Sequence, residues 1–218
     1  MQRIQFQENG RLPFKVLCLG AHADDIEIGC GGSILRLIEA YGDAIEFRWV
    51  VFSASEQRQK EARKSAALFL KDVRNKNIII EDHRDGFFPY TGGPIKEFFE
   101  QLKKGYSPDL IFTHYRDDRH QDHRVISDLT WNTFRHHLIL EYEVPKYDGD
   151  FGSPNLFVEL SRAVYRKKVS YIVKSFPSQR HRRWFTKETL ESVLRIRGIE
   201  SGGQGEFAEA FYCRKVLV

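Results

Sequence analysis

The sequence predicts an α/β fold, a mainly parallel sheet flanked by helices within a single domain. Two observations predict it. Short apolar runs alternate with amphipathic stretches from Phe14 to about Phe134, the signature of successive βαβ units. The 218 residues also suit one domain with a substantial core. Lys15–Gly20 (KVLCLG) reads as a buried strand ending at glycine, and Gly32–Tyr41 as a helix with Ile34, Leu35, Leu37 and Ile38 at helical spacing. Ile45–Phe52 (IEFRWVVF) is strand-like, and Gln57–Leu70 is helical with Ala62, Ala66, Leu68 and Phe69 inward. Asn77–Ile80 gives a third strand, Ile95–Lys104 a third helix and Leu110–His114 (LIFTH) a fourth strand. A helix then runs from near Asp122 to about Phe134.

The pattern loosens after Glu141. Asn155–Glu159 is a candidate strand, Arg162–Lys174 and Lys187–Ile196 are candidate helices, and Phe211–Val218 a closing strand. No repeat, low-complexity tract or long linker cuts off a second unit. The expectation is one domain over 1–218, with an N-terminal extension at 1–13 and an irregular C-terminal part at 145–218.

Composition excludes disordered and fibrous classes: 41% of residues are hydrophobic, 29% charged and 13% aromatic. With 34 basic and 30 acidic side chains the formal charge is +4, a mild excess. Part of it lies in Arg180–Arg183 (RHRR), beside Trp184 and Phe185. Basic residues next to aromatics can track phosphate and stack bases, but a four-residue run is ordinarily a solvated face, and no nucleic-acid binding is expected. Cys18, Cys30 and Cys213 form no CxxC pair, and any single disulfide would strand one of them. The N-terminal segment lacks an apolar signal core and no apolar run is long enough to cross a bilayer. A reducing, cytoplasmic setting is the expectation.

Two clusters carry the chemistry. Gly20–Asp25 (GAHADD) follows the first strand, and His114–His123 (HYRDDRHQDH) follows the fourth. In open α/β sheets ligands bind beyond the carboxyl ends of the strands. Imidazole and carboxylate are zinc ligands, and a catalytic zinc takes three protein ligands while leaving a position open. His22 and Asp25, three apart, can converge on one ion if the backbone turns sharply, leaving Asp24 to take a proton. An aspartate here can instead cap the following helix, but capping does not call for two carboxylates and a histidine. In the second cluster His120 and His123 also stand three apart. If His123 ligates, His120 is free to serve the substrate, with Asp122 fixing its tautomer or charge. His114 suits either the site or the core. The glycines of Gly29–Ser33 (GCGGS) lack the GxGxxG spacing and suit close helix packing, with Cys30 buried among them.

These residues resemble the PIG-L (LmbE-like) de-N-acetylases, which act on N-acetylglucosaminyl substrates. The family's AHPDDE followed by a GCGG-type stretch is matched by AHADDIEIGCGG, and its HPDH by HQDH at His120–His123. The likeness runs from about Lys15 to FAEAF at Phe207–Phe211. It implies a Rossmann-like domain with one Zn²⁺ per chain, held by His22, Asp25 and His123. It also implies Asp24 as general base and a protonated His120 as oxyanion stabiliser. Arg58 in RQKE and Asp85 in the Asp85–Gly86 turn resemble the family's sugar-contacting residues. The implied reaction is hydrolysis of the N-acetyl group of an N-acetylglucosamine-type conjugate, a small-molecule substrate, with acetate released. A different metal-dependent amide or ester hydrolase on the same site is the alternative. Homo-oligomers are common in the family. Ala23 replaces the motif's proline and Ile26 its glutamate, with Glu27 one step later; neither change removes a ligand or the base.

Overall fold

In the computed structural model, which describes residues 12–216, the strands are β1 (Phe14–His22), β2 (Ile45–Ser53), β3 (Asn75–Ile80), β4 (Leu110–His114), β5 (Leu138–Tyr142), β6 (Leu156–Leu160) and β7 (Phe207–Cys213). The helices are α1 (Asp25–Tyr41), α2 (Glu56–Phe69), α3 (Gly92–Gly105), α4 (Gln121–Thr133), α5 (Arg162–Ser175) and α6 (Lys187–Glu200). The expected N-terminal extension lies outside the described residues as far as residue 11, as do the last two positions of the expected closing strand.

All seven strands join one sheet in the order β3-β2-β1-β4-β5-β7-β6. The first five pair in parallel, and β7 pairs antiparallel with both β5 and β6. This is the mainly parallel, helix-flanked α/β domain that the alternation of elements predicts.

Period-two alternation puts successive β1 side chains into different cores. Val16 and Cys18 pack with Ile34 of α1, Ala66 of α2, Val169 of α5 and Leu194 of α6. Leu17, Leu19 and Ala21 pack with Ile95 and Phe99 of α3 and Ile126 of α4. From β1 the chain winds outward through β2 and β3, then returns to place β4 on the other side of β1. That reversal opens a crevice at the carboxyl ends of β1 and β4, where both motif clusters begin.

Three elements depart from expectation. Helix α1 starts at Asp25, seven residues ahead of the expected Gly32, because its glycines are packing contacts rather than breaks. Strand β5, LILEY, was not expected: five residues directly after a helix carry too little periodicity to register. The closing strand is centred earlier, at Phe207–Cys213 instead of Phe211–Val218, set by its pairing with β6.

Candidate metal centre

The crevice is built where β1 gives way to α1. Neither motif aspartate caps that helix: Asp24 occupies the N-cap position without a side-chain cap bond. Asp25 folds back instead, and its Oδ2 accepts the backbone N–H of His22 at 2.7 Å. This is the sharp turn that three-apart ligands require. Across the crevice, His120 occupies the N-cap of α4, which brings His123 in from the first turn.

His22 Nδ1, His123 Nε2 and Asp25 Oδ2 face one another. The separations are 3.2 Å between the two nitrogens, 3.4 Å from His22 to Asp25 and 3.5 Å from His123 to Asp25. Ligand atoms about 2.0–2.1 Å from a tetrahedral zinc lie roughly 3.3–3.4 Å apart, so the trio has the spacing of one coordination sphere. Overlapping trios add His120 and His114 to this group, while Asp85 and Asp122 gather at the far nitrogen of His22. The donor chemistry fits a cation. Each imidazole engages a carboxylate with its far nitrogen, so the near nitrogens present lone pairs toward Asp25 that nothing but a cation or a proton would reconcile.

Those far-side partners differ from the expected ones. Asp122 Oδ2 lies 3.3 Å from His22 Nε2, and Asp85 Oδ1 3.0 Å from the same atom. Asp122 is fully buried and also accepts the N–H groups of Gly86 and Phe88 at 2.6 and 3.1 Å. Its carboxylate therefore orients His22 and anchors the 86–88 turn. The expected carboxylate contact with His120 is not made; Asp122 meets that ring through its backbone N–H, donated to Nδ1 at 3.3 Å. Asp118 does for His123 what Asp122 does for His22, with Oδ2 3.0 Å from Nδ1.

Electrostatics follow from burial and these contacts. Burial, reinforced by the neighbouring His114, lowers His123 to about 3 and keeps it in the neutral form that binds metal. Burial would lower His22 too, but the carboxylates of Asp122, Asp25 and Asp85 raise it well above the usual imidazole value. Burial would raise Asp25, yet the rings of His123 and His114 hold it well below the carboxylate range. Asp24 goes the other way, raised by burial against the pull of Arg58.

Arg58, expected at the sugar, places Nη2 2.6 Å from Asp24 Oδ1. The second oxygen, Oδ2, is buried and has no hydrogen-bond partner among the described residues. Burial and the nearby His22 lower the His120 ring below the ordinary imidazole value. With Nδ1 accepting the Asp122 N–H, Nε2 is the ring nitrogen that carries a proton and can donate.

A family model described as PIG-L, GlcNAc-PI de-N-acetylase, matches residues 17–134, more than half of the chain and the whole of both clusters. This chain belongs to the PIG-L family. With membership comes the reaction class by which the family is described, hydrolysis of an N-acetyl amide bond.

Solved structures repeat the PIG-L fold. N,N'-diacetylchitobiose deacetylase from Pyrococcus horikoshii aligns over 91% of this chain and 82% of its own, at 23% identity and TM-score 0.67. The zinc-inhibited form of teicoplanin deacetylase Orf2 aligns over 91% and 97%, at 12% identity and TM-score 0.66. GalB, the 4-carboxy-2-hydroxymuconate hydratase from Pseudomonas putida KT2440, aligns over 94% and 97%, at 16% identity and TM-score 0.73. At such identities the likeness is one of fold, and the fold hosts more than one chemistry.

One residue of this PIG-L site escaped the sequence, and another had been left open between site and core. Asp118 lay within the second cluster, but five positions before His123 and outside the helix, where no periodicity pairs them. His114 proves to be a site residue as well as a core one. It is fully buried, stacks on His123 at 3.9 Å, accepts the Ala21 N–H at 2.9 Å and has Nε2 3.2 Å from Asp25.

Proposed function

We propose that this protein is a zinc-dependent deacetylase that hydrolyses the N-acetyl group of an N-acetylglucosamine-type conjugate. The observation that carries the reading is the convergence of His22 Nδ1, His123 Nε2 and Asp25 Oδ2 within 3.5 Å, beside a buried aspartate oxygen with no hydrogen-bond partner among the described residues. Zinc in such a site polarises a carbonyl and brings the pKa of water toward about 7.

The chain's own residues do the rest. Asp24, held through Oδ1 by Arg58, keeps Oδ2 free to accept a proton from the attacking water. Its raised pKa suits returning that proton to the departing amine. His120 donates its Nε2 proton as a hydrogen bond to the oxyanion formed at the acetyl carbon. Asp85, exposed at the rim while touching His22, is placed to meet a sugar hydroxyl. The domain acts as one unit over 1–218 on a small-molecule amino sugar conjugate. No helix among the described residues is long and apolar enough to cross a membrane, and three free cysteines suit the cytoplasm.

Acetate release from a panel of N-acetylated amino sugars, set against simple esters, tests the reaction. Asp24→Asn is expected to keep one zinc equivalent by elemental analysis while losing about 10²-fold or more in kcat. His123→Ala is expected to lose the metal. Wild-type turnover of esters alone would move the assignment to the alternative hydrolase. A near wild-type rate in Asp24→Asn would remove that residue as the base.

A further inference from the structure

Lys146 lies outside both motif clusters, in the irregular segment between β5 and β6. Its side chain is nevertheless only 10% exposed, and its ammonium bridges Asp118 Oδ2 at 3.0 Å and Asp150 Oδ2 at 2.5 Å. A third contact runs to the carbonyl of Val144 at 3.4 Å. Asp118 is itself buried, with its other oxygen accepting the N–H of His120 at 2.7 Å. Asp150 Oδ2 in turn accepts the N–H of Arg119 at 2.7 Å. Arg124 of α4 donates to the backbone carbonyls of Asp118 and Arg119.

We infer that Lys146 is a positioning residue for the metal centre, holding the Asp118 carboxylate on His123 Nδ1 so that Nε2 faces the ion as a lone pair. The inference rests on the metal reading above. One ammonium serves two buried carboxylates, whose side chains are 2% and 6% exposed. With the ammonium removed, the buried Asp118 carboxylate would lose its counter-charge, a cost that solvent screens poorly at 2% exposure. Asp118 would rotate away, and His123 Nδ1 would lose its acceptor. The ring could then place its proton on Nε2 and close the ligand position. Exposed lysine–carboxylate pairs contribute little; this one matters because of burial and because Asp118 touches a ligand.

The test compares wild type, Lys146→Met and Lys146→Arg, with the double variant Lys146→Met/Asp150→Asn as the folded control if the single methionine variant misfolds. Zinc affinity is read by competition with a chromophoric chelator, and the His123 tautomer by nitrogen-15 NMR on metal-free protein. Lys146→Met, or the double variant, is expected to bind zinc roughly 10-fold or more weakly, the usual loss on removing an outer partner of a ligand. Its metal-free form is expected to show an Nε2-protonated His123 population, and Lys146→Arg to restore most of both properties. Zinc affinity within twofold of wild type with an unchanged tautomer would overturn the inference. Failure of wild type to bind zinc would sink the metal reading alone, because the tautomer comparison needs no metal.

Discussion

Asp24 and Asp25 are chemically identical neighbours that end in opposite electrostatic states. Asp25 is surrounded by three imidazoles and lies well below the ordinary carboxylate value, while Asp24 has one arginine and a bare oxygen and lies above it. Two residues on, Glu27 is fully buried, and neither oxygen makes a well-formed hydrogen bond, although the Ser65 hydroxyl lies close enough to favour the charged form slightly. Burial raises it from 4.5 to about 8. A folded pKa above the unfolded one means that the unfolded state binds fewer protons between those values. Stability from this group is therefore complete below about pH 4.5 and is lost as pH rises through about 8. Glu27→Gln should raise the melting temperature at pH 8.5, with little change at pH 4.5; an equal effect at both values would refute the assignment. At this scale the sequence was informative about residue types and poor about partners. His22, Asp25 and His123 were legible as a set through the family resemblance. That Asp122 serves His22, and that Arg58 grips Asp24, depends on contacts across 100 and 34 positions of chain that no local pattern encodes.

Helix α1 shows why an element can be present and still look broken in the sequence. Its first half, IEIGCGG, holds three glycines, which cost helix stability in isolation. In the fold a Cβ on Gly29 would stand 2.1 Å from the Tyr142 ring, and one on Gly32 2.5 Å from Leu160. The missing side chains let the helix lie directly on β5 and β6, which keeps Asp25 at the mouth of β1. Gly29→Ala should thus lose stability despite alanine's better propensity, by about 1–3 kcal/mol, as measured by denaturant unfolding. No loss would show that Tyr142 can step aside. The longer strands and helices with clear periodicity were read correctly; β5 and the start of α1 were not, because tertiary packing there overrides local preference.

Across the whole molecule, the sheet order brings the two clusters together at the switch between β1 and β4, as parallel winding dictates. The irregular C-terminal third is as much part of the site's support as the winding that precedes it. Glu209 of β7 accepts the N–H groups of Gly32 and Ser33 in mid-α1 at 2.7 and 2.6 Å, and Lys168 of α5 joins Glu209 to the Ile28 carbonyl, each contact at 2.6 Å. Both side chains are nearly inaccessible. Glu209→Ala should cost roughly 3–5 kcal/mol, since it leaves a buried ammonium uncompensated, while Lys168→Met/Glu209→Met together should cost far less. Equal losses in the single and double variants, by chemical denaturation, would remove the ion-pair explanation.

That ion pair also dictates an order of events during synthesis. The carbonyl of Ile28 and the N–H of Gly32, partners in a regular helix, are both engaged by side chains that leave the ribosome at least 136 positions after Gly32, when Lys168 and then Glu209 emerge. Asp25 and His22 are thus translated early while the brace on the helix that carries Asp25 arrives late, so a nascent chain lacking β7 holds every motif residue without that brace.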